Sequence, residues 1–251
     1  MRSIRLLPVL LLALPVLLFA LAGPAIPAGT VIPIKLDTGL NAKKDQAGKK
    51  IEGSVMQDVD LPGGGKISAR SKIVGEVVSV GKPSDLDATL VLKFDSIQEH
   101  DHTIPIKVAV LAIASLGDVA AAQEPVDGVA DAEASTQWVT KQVGGDIVHR
   151  GRNKVASDEG VIGTWVEGSS VVMKLTEDAT LGCPTGPGYD REQALWVFSS
   201  RACGTYDLGD TRIEKAGREA PVGEIELKSP NKLEMRGGSG WLLITAEGSQ
   251  K

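Results

Sequence analysis

Histidine, tyrosine and cysteine are all scarce in this chain: three, two and two among 251 residues. So few histidines and cysteines leave little from which to build a metal centre or an acid–base pair. Aromatic residues make up only 4% of the sequence. No excess of positive charge is present either, with 27 lysines and arginines against 32 aspartates and glutamates and a net charge of −5. Phosphate backbones are bound by basic surfaces, so nucleic acid is excluded as a partner. After residue 22 no run is apolar enough to span a bilayer, so the mature chain is expected to have no transmembrane segment. What is abundant is glycine, at 29 residues, the composition of a β protein rich in turns.

The first 22 residues stand apart. Arg2 and Arg5 precede a leucine-rich apolar run over 6–21, and Ala20-Leu21-Ala22 places small residues at −3 and −1 of a cut before Gly23. Charged start, short apolar middle and small-residue end are the three parts of a cleavable secretory signal. The alternative, an uncleaved membrane anchor, is weakened by Pro8 and Pro15 and by the shortness of the run. No cysteine lies near the cut to take a lipid. Export makes a disulfide permissible, and Cys183 and Cys203 match no zinc or thioredoxin spacing. They are read as one bridge closing a loop of about twenty residues, worth roughly 3 kcal/mol in the chain-entropy model.

An acidic stretch over 114–136 divides the chain. It carries Asp118, Glu124, Asp127, Asp131 and Glu133 with no lysine or arginine, a composition that stays solvated and extended. A helix over 119–133 is the rival reading, interrupted by Pro125 and Gly128. Before this linker the pattern has period two. Leu90, Leu92 and Phe94 share one face of 88–95, and Ile104, Ile106, Val108 and Val110 share one face of 103–110, which reads as a hairpin. Further strands are expected over 30–36, 51–60 and 72–80, with a turn at Pro62-Gly63-Gly64-Gly65. Ile32-Pro33-Ile34 and Ile104-Pro105-Ile106 each place a proline in a strand, so each strand should lie at an edge or beside a bulge.

After the linker come all four tryptophans, Trp138, Trp165, Trp196 and Trp241. Strands are expected over 161–167, 171–175, 194–200, 223–228, 232–236 and 241–246, with a helical turn possible over 190–194. Ser229-Pro230-Asn231 reads as the turn of a hairpin that faces Ile225 and Leu227 to Leu233 and Met235. Trp196 and Phe198 are the best core candidates. Trp138, next to the linker, is the best candidate for an exposed ring able to bind a ligand such as a sugar.

The search for chemistry yields little. His100 and His102 flank Asp101, with Asp95 and Glu99 close in sequence. On a strand the two imidazoles would share a face and could hold zinc or copper with a carboxylate, but a solvated hairpin tip needs the same residues. His149 sits among Arg150, Arg152 and Lys154, as in a basic loop. Gly238-Ser239-Gly240 lacks the elbow of a serine hydrolase and suits a tight turn before Trp241. Gly63-Gly64-Gly65-Lys66 lacks the hydroxyl residue and helix of a phosphate loop. Asp58 and Asp60, two apart on a strand, have no opposed acid with which to work. No catalytic set and no cofactor motif emerges.

Ile26-Pro27-Ala28-Gly29-Thr30, Gly48 before the strand ending Gln57-Asp58-Val59, the Gly75-containing strand after 67 and the 90–106 hairpin together resemble the β domain of TrbI-like scaffold proteins of conjugation and type IV secretion channels. The resemblance covers 26–113 and implies a β fold and an envelope location. Ile67-Ser68-Ala69-Arg70-Ser71 stands where that family has a proline–glycine turn, and the family's membrane-crossing helical hairpin has no counterpart here. The second half, through the 194–200 run, Ala202-Cys203-Gly204 and Gly238-Ser239-Gly240-Trp241, is similar to domains of exported bacterial proteins without an assigned role.

The expected protein is therefore mainly β: two small antiparallel domains, barrel or sandwich, over 23–113 and 137–251, joined by the 114–136 linker. It is expected in the periplasm or secreted, non-catalytic and without cofactor. It would act as a scaffold or adaptor on an envelope protein, through sheet edges and loops. The alternative is a carbohydrate- or cell-wall-binding module that uses exposed tryptophans.

Overall fold

The computed structural model describes residues 26–81, 87–126, 138–145, 147–151, 153–166, 170–176, 183, 189–214 and 223–246. The signal expected over 1–22 lies outside these residues, as does the expected linker from 127 onward. In chain order the strands are β1 Val31–Leu36, β2 Leu40–Asn41, β3 Lys50–Val55, β4 Val59–Asp60, β5 Lys66–Ile67, β6 Lys72–Gly81, β7 Ala88–Glu99, β8 His102–Pro105 and β9 Val108–Ala114. Helix α1, Leu116–Ala121, follows. Then come β10 Trp138–Lys141, β11 Ile147–Gly151, β12 Lys154–Ser157, β13 Gly160–Val166, β14 Ser170–Lys174 and β15 Glu192–Ala194. The last are β16 Gly204–Tyr206, β17 Arg212–Ile213, β18 Ile225–Ser229, β19 Glu234–Met235 and β20 Gly240–Thr245. The fold is mainly β, as the composition and period-two runs predict.

The large sheet runs β16-β9-β20-β1-β3-β6-β7-β18-β17, with β8 also paired to β7. Every pairing in it is antiparallel except β16 on β9. Its terminal strands β16 and β17 are separated in the chain only by residues 207–211. The sheet must therefore curl until its two ends nearly meet, and no ladder closes it into a barrel. The inside of the curl is filled by Ile32, Ile34, Leu90, Leu92, Phe94, Val108, Val110 and Trp241 among others. Phe94 and Trp241 meet edge to face there, with ring centroids 6.0 Å apart, an arrangement that favours the ring quadrupoles.

Strands from both sides of the acidic stretch build this one sheet. β20, from the end of the chain, lies between β1 and β9, and β18 pairs with β7. The sequence divider at 114–136 is thus no divider of the sheet. The stretch also starts folded. Ser115 caps α1, its Oγ accepting from the Asp118 N–H at 3.1 Å, and Val119 and Ala122 are buried. A helix cap and two apolar anchors outweigh the low apolar content of the segment.

A second sheet, β10 to β15 in sequence order, is an antiparallel meander. Its Val148, Val155, Val171 and Met173 join Val31, Leu111, Leu242, Ile244, Trp196 and Phe198 in a second core on the outer face of β1, β9 and β20. Those strands are consequently sandwiched, and every residue of β9 and β20 is buried. Trp196 and Phe198 are 1% and 0% exposed, as expected of core residues. They follow β15 in a turn rather than on the expected 194–200 strand, and the helical turn considered over 190–194 is replaced by β15 itself. Gly240 is required where β20 starts, because a Cβ there would lie 2.8 Å from Val119 and 3.2 Å from Trp196. Cys183 and Cys203 are bonded to each other, both buried, with Cα atoms 6.0 Å apart.

Two local expectations are corrected. The Ser229-Pro230-Asn231 turn does not close a hairpin, because β18 pairs with β7 and β17 while β19 pairs with β2. Ile225, Leu227, Leu233 and Met235 all still reach the inner core, so their alternation is satisfied without mutual pairing. Pro33 lies in an interior strand, between β20 and β3. The β3 ladder begins one residue later at Ile34. Pro33 contributes only its carbonyl, which accepts from the Met56 N–H at 3.0 Å, so its missing donor is not needed.

Replacing Trp241 by alanine removes the side chain shared by the closing strand and the inner core. Chemical denaturation should show a loss of about 3–5 kcal/mol, whereas a loss below about 1 kcal/mol would mean the curl does not depend on it.

Candidate functional site

The β4–β5 and β7–β8 hairpins bring their tips side by side. Between them lies a groove of about 520 Å³. Leu61, Pro62 and Lys66 line it from the first hairpin, and Glu99, His100, His102 and Ile104 from the second. The first tip is the expected Pro62-Gly63-Gly64-Gly65 turn. All three glycines take positive φ, at 90°, 97° and 85°, which other residues adopt only at a cost. The turn bonds itself through Leu61 N–H to Gly65 O and Gly64 N–H to Leu61 O. The turn joins β4 to β5, so it lacks the strand-to-helix setting of a phosphate loop.

Lys66 is ion-paired with Asp58. The pair holds the Asp58 carboxyl below its usual range, mainly through the hydrogen bond from Lys66 and secondarily through the Ala69 N–H, and it raises Lys66. Asp60 and Glu99 act on the same ammonium at longer range. Asp58 thus belongs to a loop clasp, and Asp60 is exposed with no opposed acid. Glu99 Oε1 accepts from Ser68 N–H at 2.9 Å and from Ser68 Oγ. That bond ties the β7–β8 tip to the segment Ile67-Ser68-Ala69-Arg70-Ser71.

His100 and His102 do not share a strand face. His100 lies in the turn with φ of 49°, and His102 starts β8. Both, and Asp101 between them, are exposed. Among the described residues no three histidine, cysteine, aspartate or glutamate side chains gather as a metal site, so the His100, Asp101 and His102 candidate lacks a complete ligand set there.

Among the described residues β8 pairs only with β7, and it occupies the part of the β7 edge beyond β18. Its register sets Ser96 opposite Pro105, Ile97 opposite Ile104, Gln98 opposite Thr103 and Glu99 opposite His102. Ile106 N–H donates to Asp95 O at 3.0 Å. Antiparallel pairs alternate between bonded and non-bonded, so His102 and Ile104 bond inward to β7. The outward backbone groups of β8 are the Thr103 N–H and C=O and the Pro105 C=O. Pro105 therefore removes one of two outward donors.

A second groove, of about 500 Å³, is lined by Asp118, Lys141, Gln142, Gly144 and Tyr206. Burial, and then the charge of Asp207, pushes the Asp118 carboxyl up. Trp138 opens β10 opposite Arg150, but its side chain lies outside the described residues. The expected basic loop around His149 is strand β11 instead. Arg150 is 3% exposed there, and burial pushes its guanidinium down to about 10. The inward positions of β11 are Val148 and Arg150 while Ile147 is exposed, so no apolar alternation marks this strand in the sequence.

No family model matches this chain, and no curated protein matches it. What the grooves do must be read from their chemistry.

His100 occupies a left-handed turn position that glycine adopts freely. His100→Gly should leave stability in urea unchanged or raise it by up to about 1 kcal/mol, while His102→Gly, in extended β8, should cost about 1 kcal/mol. A clear loss in His100→Gly would mean that the imidazole itself holds the tip.

Proposed function

We propose that this chain is an exported, non-catalytic protein of the cell envelope, periplasmic or secreted, that acts as a scaffold or adaptor. The observation that carries the reading is the edge of β8. It is exposed at His102, Thr103 and Pro105, has no second strand beside it among the described residues, and is cut short by a proline. An unblunted edge is a template for uncontrolled association; one limited to a single donor suits docking in a defined register. The signal-like 1–22 segment and the resemblance of 26–113 to TrbI-like scaffold domains support the envelope setting. The protein released gently from its own cells should migrate as an assembly larger than the monomer, and a photocrosslinker at Thr103 should capture a neighbour. A monomer with no crosslink would overturn the reading.

Carbohydrate or cell-wall binding is a second reading. It is supported by the groove that places a tyrosine ring, Tyr206, beside Asp118, Lys141 and the Gln142 segment, a mixture of flat apolar face and polar groups suited to sugars. On that reading, cell-wall glycan should retain the protein, and Trp138→Ala should release it. Retention unchanged by the substitution would overturn this version of the reading.

A further inference from the structure

Resting on the scaffold reading, we infer that the β8 edge and the groove beside it take a short extended peptide segment of a partner, bearing lysine or arginine. Three features specify that occupant. The edge offers one outward donor, at Thr103, and two outward acceptors, at Thr103 and Pro105, which is enough for a few residues of added strand and no more. The adjoining groove has an apolar wall at Leu61, Pro62 and Ile104 and an acidic end at Glu99. A lysine or arginine fits both parts, its aliphatic stem against the wall and its charged head toward the carboxylates.

The charge balance points the same way. Asp58, Asp60 and Glu99 surround the one groove lysine, Lys66, and Asp101 is exposed at the neighbouring tip. Lys66 is paired with Asp58, while Glu99 is hydrogen-bonded to the neutral Ser68 and, among the described residues, forms no ion pair. The rim therefore keeps an excess of negative charge, which favours a cationic segment and repels an acidic one. The attraction is at the surface and falls as salt screens it.

The test uses the full folded chain and two fluorescent peptides of equal length and strand propensity, one alternating threonine and valine with lysine and arginine, the other with glutamate. Fluorescence anisotropy should show saturable binding of the basic peptide only, weakened by salt. Thr103→Pro removes the outward donor while sparing the inward bonds of His102 and Ile104, and should weaken binding about tenfold, the worth of one hydrogen bond. Because a proline could disturb β8, the exposed double variant Asp60→Lys with Asp101→Lys provides an independent probe and should weaken binding at least as much. Circular dichroism would verify that both variants fold. Equal binding of the two peptides, no saturable binding, or affinity unchanged in both folded variants would overturn the proposal. A chain that is monomeric in its cells yet binds the basic peptide would overturn the scaffold reading alone. A native assembly crosslinked only through other surfaces, with no peptide binding, would overturn this placement alone.

Discussion

Strand β20 is the piece on which the rest of the molecule depends. It lies between β1 and β9 with both faces buried. Trp241 and Leu243 point into the inner core, and Leu242 and Ile244 into the outer one. Its start is held by the Ser239 O and Gly238 N–H, which bond the two backbone groups of Leu36 at 2.9 and 2.7 Å. The buried indole N–H of Trp241 is satisfied by Ser239 Oγ at 3.0 Å. One strand thereby joins the curled sheet to the meander packed on its outside. Burying both faces of a strand is the largest apolar gain a sheet can offer, and it explains the unbroken run Trp241-Leu242-Leu243-Ile244.

Polar side chains fasten the second sheet to the first. Gln193 of β15 accepts from Val31 N–H at 3.1 Å and donates to Gly29 O at 3.2 Å. Gln57 Oε1 accepts from Trp196 N–H at 2.6 Å, which stabilises a buried tryptophan in the left-handed region, with φ of 49°. Both glutamines are 3% exposed. Buried amides of this kind contribute register as much as energy, because each admits one arrangement of neighbours.

The groove was only partly legible in the sequence. Period-two alternation marked the β7–β8 hairpin, and the three glycines marked the β4–β5 turn, because each depends on neighbours a few residues away. That Glu99 should bond Ser68 from another hairpin depends on two tips meeting across the sheet. No local pattern encodes such a meeting. His100 and His102 do not share a strand face, for a local reason: the first imidazole lies in the turn and not on the strand.

The sequence by itself determined the class of the fold. Alternating apolar residues demand half-buried strands, glycine and proline punctuate them, and the low histidine and cysteine content limits the chemistry available to the chain. It also paired the only two cysteines. Tertiary structure alone decided which strands are neighbours. A boundary placed at the acidic stretch 114–136 reflects composition, whereas strand pairing is set by which apolar faces can share a core. A buried two-faced strand can be supplied from any point in the chain, because loop-closure cost grows only slowly with separation. For that reason the last strand completes the sheet that the first one begins.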